Sequence, residues 1–481
     1  MKITHGVVRY GLEVNYPPPD LVKELENRLT FDNPTYLAAQ HFSPYGQVSM
    51  AIPRTLTFYE HTKNGIRVPR GFSSRVLSLE NRARFDNLTW QNCGVSVPAT
   101  FPKAKLALND AQQAMLDAFR EAKRDSRRSG FLFVMPTAWG KTLLQAALAQ
   151  ETGQLTLVLC VTELILRAWY EDLQKMYGLK PAQIGLVKAG KEEWKSPFTL
   201  ASIATIGRRR AFWPEYYSKF GTVVLDEAHI VSQPNLYDFL WNCPAKYLIG
   251  ATATPSLEGF NGHIHLTFGD PVKRINLSHK DTSTSMAIRG VNLIDTKFKF
   301  SYIEGAIDWA SLSQALMDDM DRNDLIVQTV KEEWDQGRVI LVTTRRIPHV
   351  ELLVEMLKDV GVSDANALTG ETNTDRAYTR SLLQMLSKRK LRCVVATNAA
   401  VKLGANIPVL DSLHLAMPVV RKHIIEQLLG RIRRRETNKT RCTVTYYMDR
   451  HVPYLFRLFY RQYVPVFRKM KIGKYANTYA V

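Results

Sequence analysis

The sequence predicts an α/β protein: two parallel-sheet domains in tandem, preceded by a small α+β module and followed by a basic, aromatic tail. Three observations carry this. From Leu108 onward, short apolar runs alternate with helical stretches, the texture of strands joined by crossover helices. A second series of the same kind starts near residue 305. A chain of 481 residues is also too long for one ordinary domain. The expected divisions are an N-terminal accessory domain over 1–104, sheet domains over 105–280 and 281–450, and a C-terminal extension over 451–481.

The elements follow in order. Residues 21–29, "LVKELENRL", space their apolar side chains as a helix does. "QVSMAIPRTLTFYEHTKNGIRVPRGF" reads as short strands around a turn at Lys63-Asn64-Gly65. The first sheet domain offers the strands "FLFVM", "LTLVLCV", "TLASIAT", "TVVLD" and "KYLIGAT", with helices such as "KTLLQAALAQ" between them. The polar stretch "GDPVKRINLSHKDTSTSMAIRGVN" suits a partly ordered connection. The second domain offers "VILVTT", "CVVATN" and "SLHLAMP". In parallel sheets of this kind ligands sit at the carboxyl ends of the strands.

Composition narrows the function. Hydrophobic residues at 45% and charged ones at 23% are those of a globular protein. No run approaches about 20 apolar residues, so no membrane span or membrane partner is expected. The first residues lack the apolar core of a secretion signal. Five scattered cysteines (Cys93, Cys160, Cys243, Cys393, Cys442) include no C-x-x-C pair, which fits a reducing, cytoplasmic setting. A net charge of +19 calls for a polyanionic partner, most often nucleic acid.

The chemistry lies in two motifs. Pro136-Thr137-Ala138-Trp139-Gly140-Lys141-Thr142 joins a strand to a helix and ends as a phosphate-binding loop ends, although Met135 stands where the full pattern has glycine. Backbone N–H groups at the helix start would face phosphate oxygens. Lys141 would contact the β and γ phosphates of ATP, and Thr142 would bind Mg²⁺. "TVVLDEAH" then places Asp226 and Glu227 at a later strand end. Asp226 would hold Mg²⁺ and Glu227 would align or deprotonate the attacking water.

With "ATATP" at 251–255, this set resembles the superfamily 2 helicases and translocases. Further motifs match in order from about 105 to 445: "LNDAQQAM", "VLCVTELILRAW", "IATI", "VILVTTRR", "ATNAAVKLGANIP" and "QLLGRIRR". The resemblance implies two RecA-like domains with ATP between them. It implies Gln112, or Gln113, as the adenine reader. Thr162, Thr205 and Thr397 become strand contacts, with Arg208 beside them. Gln427, Arg431 and Arg434 would act on the developing phosphate charge, and Gly404 would permit close backbone approach. The family often has glycine at Ala138 and aspartate at Asn406. The second domain, and Asn33-Pro34-x-Tyr36 with Pro69-Arg70-Gly71 in the first module, are similar to branch-migration helicases of the UvsW type, and more loosely to XPB-like proteins.

About 18 residues separate "ATNAAVKLGANIP" from "QLLGRIRR", too few for a long strand-splitting hairpin, so strand separation falls to the first module or the tail. From Arg457 to Lys474 the tail carries six basic residues and no acidic one, interleaved with Phe456, Phe459, Tyr460, Tyr463 and Phe467. Arg457 and Arg461 would meet DNA phosphates while the aromatics stack on bases. Equally, the aromatics would be the buried face of a docking helix. The expected function is an ATP- and Mg²⁺-dependent DNA helicase acting on single-stranded, forked or junction DNA, monomeric, with replication or recombination proteins as partners. The alternatives are an RNA helicase and a DNA-structure-binding protein with a weak or regulatory ATPase.

Overall fold

The computed structural model describes residues 2–5, 12–33, 35–37, 40, 51–73, 75–76, 89–92, 94–136, 139–253, 262–275, 288, 290–302, 307–369, 376–402, 409–433, 439, 441–472 and 475–478. They form two units: 1–135 with 141–275, and 136–140 with 276–481.

The first unit opens with the α+β module. Its strands β1 (Lys2–His5), β2 (Leu12–Asn15), β5 (Glu60–Thr62), β6 (Gly65–Val68) and β7 (Thr89–Asn92) form one sheet, order β5-β6-β2-β1-β7. Strands β3 (Thr30–Asp32) and β4 (Thr55–Thr57) pair separately. The helix Pro19–Arg28 starts on a proline, whose missing N–H costs nothing in a first turn, and buries Leu21 and Leu25. Those leucines pack with Leu12, Val14, Ile66 and Phe72, and the same cluster takes in Leu266 from the neighbouring sheet domain.

This module is joined tightly to the first sheet domain. Arg70 is buried, and its guanidinium donates to the carbonyls of Ala245 (2.8 Å) and Cys243. A Cβ on Gly71 would lie 2.3 Å from the carbonyl oxygen of His265, so only glycine allows the approach. Residues 95–99 then strap across the domain: the Val95 N–H donates to Pro244 O (2.7 Å), and the Leu155 N–H donates to Val97 O (2.7 Å). The expected division at 104 therefore runs through a single unit. The reason is physical, because a buried guanidinium whose acceptors lie across the seam ties both sides together.

The main sheet of this unit holds β8 (Gly130–Val134), β9 (Thr156–Cys160), β10 (Ile184–Lys188), β11 (Lys191–Glu193), β12 (Phe198–Ser202), β13 (Thr222–Asp226), β14 (Tyr247–Thr252) and β15 (Pro271–Arg274). Their order is β11-β10-β12-β9-β13-β14-β8-β15. Only β10 and β11 pair antiparallel. Strands β8, β9 and β13 are buried along their whole length, as strands covered on both faces are. The expected strand "TLASIAT" stops at Ser202; Ile203–Arg208 is a short helix.

The second unit holds a seven-stranded, all-parallel sheet: β16 (Gly290–Asp295), β17 (Ile340–Thr344), β18 (Ala365–Leu368), β19 (Cys393–Thr397), β20 (Ser412–Leu415), β21 (Thr443–Met448) and β22 (Tyr475–Thr478). The order is β18-β19-β17-β20-β21-β16-β22. The buried Arg322 guanidinium donates to Asp449 Oδ1 (2.9 Å) and to the Ala416 carbonyl (2.7 Å), which ties the helix Met320–Asp335 to the end of β21.

The tail expected as a separate extension completes this unit. Helices Pro453–Leu458 and Val464–Lys469 are joined by the π-helical turn Phe459–Tyr463. Leu455, Leu458, Phe459, Tyr463, Val466 and Phe467 are buried, a stripe at helical spacing, while Arg457, Arg461, Arg468 and Lys469 face outward. The Tyr463 hydroxyl accepts the Val419 N–H at 2.5 Å. Of the two readings of the tail aromatics, Phe459, Tyr463 and Phe467 follow the docking one; Tyr460 is exposed. Among the described residues no helix is long and apolar enough to cross a membrane.

Candidate active site

The helix Lys141–Thr152 lies along β13 and runs against its direction. Thr152 Oγ1 is 2.8 Å from Thr222 Oγ1 at the start of the strand, and Gln145 Nε2 donates to Leu225 O at 3.4 Å near its end. This antiparallel placement brings the first turn of the helix to the strand end that carries Asp226 and Glu227. There the Lys141 ammonium donates to Glu227 Oε1 at 2.6 Å. Just before the helix, Gly140 has φ +81°, a left-handed conformation that favours glycine over any other residue.

The two carboxylates sit in different fields. Burial raises Glu227, but the Lys141 ammonium and then His229 outweigh it and hold this carboxyl well below the usual range. For Asp226 burial wins over Lys141, the neighbouring charge of Glu227 adds to it, and its carboxyl is raised. Two donors nonetheless fix the Asp226 side chain: the Glu227 N–H on Oδ1 (3.0 Å) and the Trp169 indole N–H on Oδ2 (3.0 Å). Glu227 itself has φ +58°, a strained value for a residue with a side chain and one that clusters at functional sites. His229 Nδ1 lies 3.4 Å from Glu227 Oε2 and 3.1 Å from Thr252 Oγ1, so the "DEAH" and "ATATP" segments meet through this ring.

The donor set fits Mg²⁺. Asp226 and Thr142 offer hard oxygen ligands, and Thr142 is half-buried on the first helical turn. Among the described residues no group of three or more His, Cys, Asp or Glu forms a metal cage. A cation here would take its other ligands from phosphate and water, as Mg²⁺ does.

The remaining expected residues fall as follows. Gln112 is buried in the first turn of the helix Asp110–Arg124, where its Oε1 accepts the Asn109 N–H (3.0 Å) and its own N–H donates to Asn109 Oδ1 (2.8 Å). This capping box occupies the side-chain carbonyl. Gln113 donates to Asp117 (3.0 Å). Pro136 is half-buried and Trp139 is buried. Thr162 caps the helix Glu163–Tyr177, accepting the Ile165 N–H at 3.2 Å, and Thr397 accepts the Ala400 N–H at 3.2 Å. Thr205 is buried, and Arg208 is exposed. Of the two arginines that follow it, Arg209 pairs with Glu192 and Arg210 with Asp238. In the second unit Gln427 and Arg431 lie on the helix Lys422–Ile432, both half-buried. Thr137, Ala138, Gly404, Asn406 and Arg434 lie outside the described residues.

Sequence reasoning missed Trp169, His229 and Thr252. Trp169 stands seven positions after Thr162, two turns along one helix, and that spacing was the one available hint of a residue reaching back to the strand ends.

Comparison with known proteins agrees with this layout. Residues 105–257 match the family described as Type III restriction enzyme, res subunit. The chain is 26% identical over 315 residues to the putative helicase 161L of Invertebrate iridescent virus 6, covering 62% of this chain and 68% of that protein. It is 24% identical over 340 residues to the probable helicase D10 of Escherichia phage T5, covering 70% of each. Among solved structures, the ATP-dependent Type ISP restriction-modification enzyme LlaBIII bound to DNA aligns with a TM-score of 0.54 at 13% identity, over 82% of this chain and 32% of that one. That likeness is one of fold.

Proposed function

From the premise that this chain is an ATP-hydrolysing helicase of superfamily 2, with its ResIII-type domain in the first unit, we propose that it is a Mg²⁺-dependent DNA translocase that unwinds or branch-migrates forked and junction DNA. The observation that carries the ATPase part is the meeting of Lys141 with Glu227 beside Asp226 at one strand end. In this reading Lys141 leaves Glu227 for the β and γ phosphates when ATP enters. Glu227, released from its counter-ion, takes the proton of the attacking water. Asp226 and Thr142 would hold Mg²⁺, which would supply positive charge against that of the phosphates. Trp139 and Gly140 belong to the phosphate loop, and Gln112, or Gln113, reads the adenine. Arg431 and Arg434 stabilise charge on the transferred phosphoryl group.

DNA as the track is supported by the +19 net charge, and by the resemblance of the leading module and second domain to branch-migration helicases. The exposed Arg208, Arg457 and Arg461 are phosphate contacts in this reading. Thr162, Thr205 and Thr397 are phosphate contacts in this reading; Thr162 and Thr397 also accept the backbone N–H groups of Ile165 and Ala400, and a hydroxyl that accepts is still a donor toward phosphate. The protein acts as a monomer in the cytoplasm.

The test is ATP hydrolysis by the full chain with single-stranded DNA, four-way-junction DNA or single-stranded RNA as stimulator. Stronger stimulation by DNA, with junction unwinding that depends on ATP, supports the reading. Stimulation by RNA alone would make it an RNA helicase. Binding of junctions with hydrolysis that no nucleic acid accelerates would make it a structure-binding protein.

A further inference from the structure

The carboxylate of Asp226 is held from two sides, and only one of the holders belongs to the nucleotide motifs. The Glu227 N–H on Oδ1 is local, one residue along the chain. The Trp169 indole on Oδ2 comes from another element, 57 positions away in sequence, and both side chains are buried. An indole N–H only donates, so it cannot reverse the polarity of this contact. With both oxygens engaged, the carboxylate has one orientation, and the lone pairs left over point in fixed directions.

We infer that Trp169 is a positioning residue for the Mg²⁺ carboxylate: by holding Oδ2 it sets how tightly the nucleotide's Mg²⁺ is bound. The inference rests on Asp226 being the metal carboxylate of the proposed site. Partners that orient a metal-ligating carboxylate from outside its first shell are worth about 10–100-fold in metal affinity where they have been removed. Trp169 supplies such a contact from the helix Glu163–Tyr177, which carries none of the expected nucleotide contacts. The rival account is that Trp169 fills the core and its N–H merely finds an acceptor, as buried indoles usually do.

Trp169→Phe keeps an aromatic ring in the core and removes the donor. The measurement is the Mg²⁺ concentration that half-saturates binding of a fluorescent ADP analogue to the full-length protein, with ADP-analogue affinity in EDTA and thermal melting as companions. The expected result is a Mg²⁺ requirement raised about tenfold, unchanged affinity in EDTA, and no further loss when Trp169→Phe is added to Asp226→Asn. A folded Trp169→Phe protein with the original Mg²⁺ requirement, while Asp226→Asn raises it, overturns the inference and leaves the metal site standing. If Asp226→Asn also leaves the requirement unchanged, the metal assignment fails and the inference with it. Losses that add in the double variant overturn it too, since Trp169 would then act elsewhere. Should Trp169→Phe fail to fold, indole ¹⁵N–¹H spectra of the original protein replace it, with the Trp139 resonance identified by its loss in Trp139→Phe. One of the other seven indole resonances should move with Mg²⁺ and ADP but not with ADP in EDTA; seven that stay still overturn the inference.

Discussion

Lys141 Nζ lies 2.6 Å from Glu227 Oε1, so the cation proposed to meet phosphate and the carboxylate proposed to act on water neutralise each other. Each side chain is largely buried, at 12% and 23% exposure. Removing one partner strands the other. Lys141→Ala is therefore expected to abolish ATP hydrolysis and also to cost about 1–3 kcal/mol of stability, as an uncompensated buried charge does. In Lys141→Ala/Glu227→Gln the melting temperature should return toward that of the original protein while activity does not. Turnover by the single variant at saturating ATP and Mg²⁺ would sink the assignment.

Glu227→Gln keeps the shape of the side chain and removes its basicity. It should bind ATP and DNA and lose about 100- to 10,000-fold in turnover. Equilibrium binding of a fluorescent ATP analogue decides the matter, because loss of nucleotide affinity itself would make Glu227 a structural residue.

The junction between the leading module and the first sheet domain predicts the fate of a truncation. Deleting residues 1–100 removes the Arg70 anchor and the 95–99 strap together. The product should melt early and lose ATPase activity. Arg70→Met isolates the anchor: it deprives the Cys243 and Ala245 carbonyls of a charged donor and should cost about 2–3 kcal/mol. Chemical denaturation of the full chain measures that cost, and an unchanged midpoint would show the anchor to be dispensable.

The tail separates packing from charge. Ending the chain after Tyr454 exposes the surfaces that Phe459, Tyr463 and Phe467 cover and should unfold the second unit. Arg457→Glu/Arg461→Glu alters only exposed positions. It should leave the protein folded, weaken DNA binding, and flatten the slope of log K against log salt by about one or two units if both arginines meet phosphates. An unchanged slope would assign the tail to packing alone.

His349 gives a pH dependence. Its Nδ1 is 2.7 Å from Thr344 Oγ1 and its Nε2 3.0 Å from Asn323 Oδ1, partners that suit a neutral ring. Burial, then the nearby Arg322 charge, push it down to about 3. The unfolded ring titrates near 6.5, so the unfolded state binds more protons between those values. Stability is thus fully present above about pH 6.5 and falls as pH is lowered through the window, at up to about 1.4 kcal/mol per pH unit. Denaturation between pH 7 and 5, above the carboxylate range, should show this slope, and His349→Gln should lessen it, leaving the part contributed by His265, which burial also pushes down. Equal slopes in both proteins would contradict the buried neutral ring.

What was legible in the residues follows from chemistry. Phosphate and Mg²⁺ demand particular groups at particular strand and helix ends, so Lys141, Thr142, Asp226 and Glu227 stand out in any reading of the chain. Gly140 stands out because its φ suits no other residue as well. Arg70 was harder, since a buried arginine and a DNA-reading arginine look alike until the Cys243 and Ala245 carbonyls, more than 170 positions away, are placed beside it. The tail was undecidable for a related reason: aromatics at helical spacing among basic residues describe both a docking helix and a stacking platform. Gln112 illustrates a third case. Its spacing from Asn109 suits a capping box and its place suits the family's adenine reader, and one glutamine at that position is compatible with both.

One feature of the second sheet bears on how the protein is made. Strand β16 lies between β21 and β22, and the nearer of these partners in sequence begins 153 residues after β16 begins (290 to 443). At about 5–20 residues per second of synthesis, β16 leaves the ribosome roughly 8–30 seconds before it can pair on either side. For that interval an apolar strand has two open edges, while the first unit already has all its strands. Chaperone demand should therefore concentrate on nascent chains longer than about 300 residues and shorter than about 450, and synonymous codons that slow translation within that window should lower the yield of native protein.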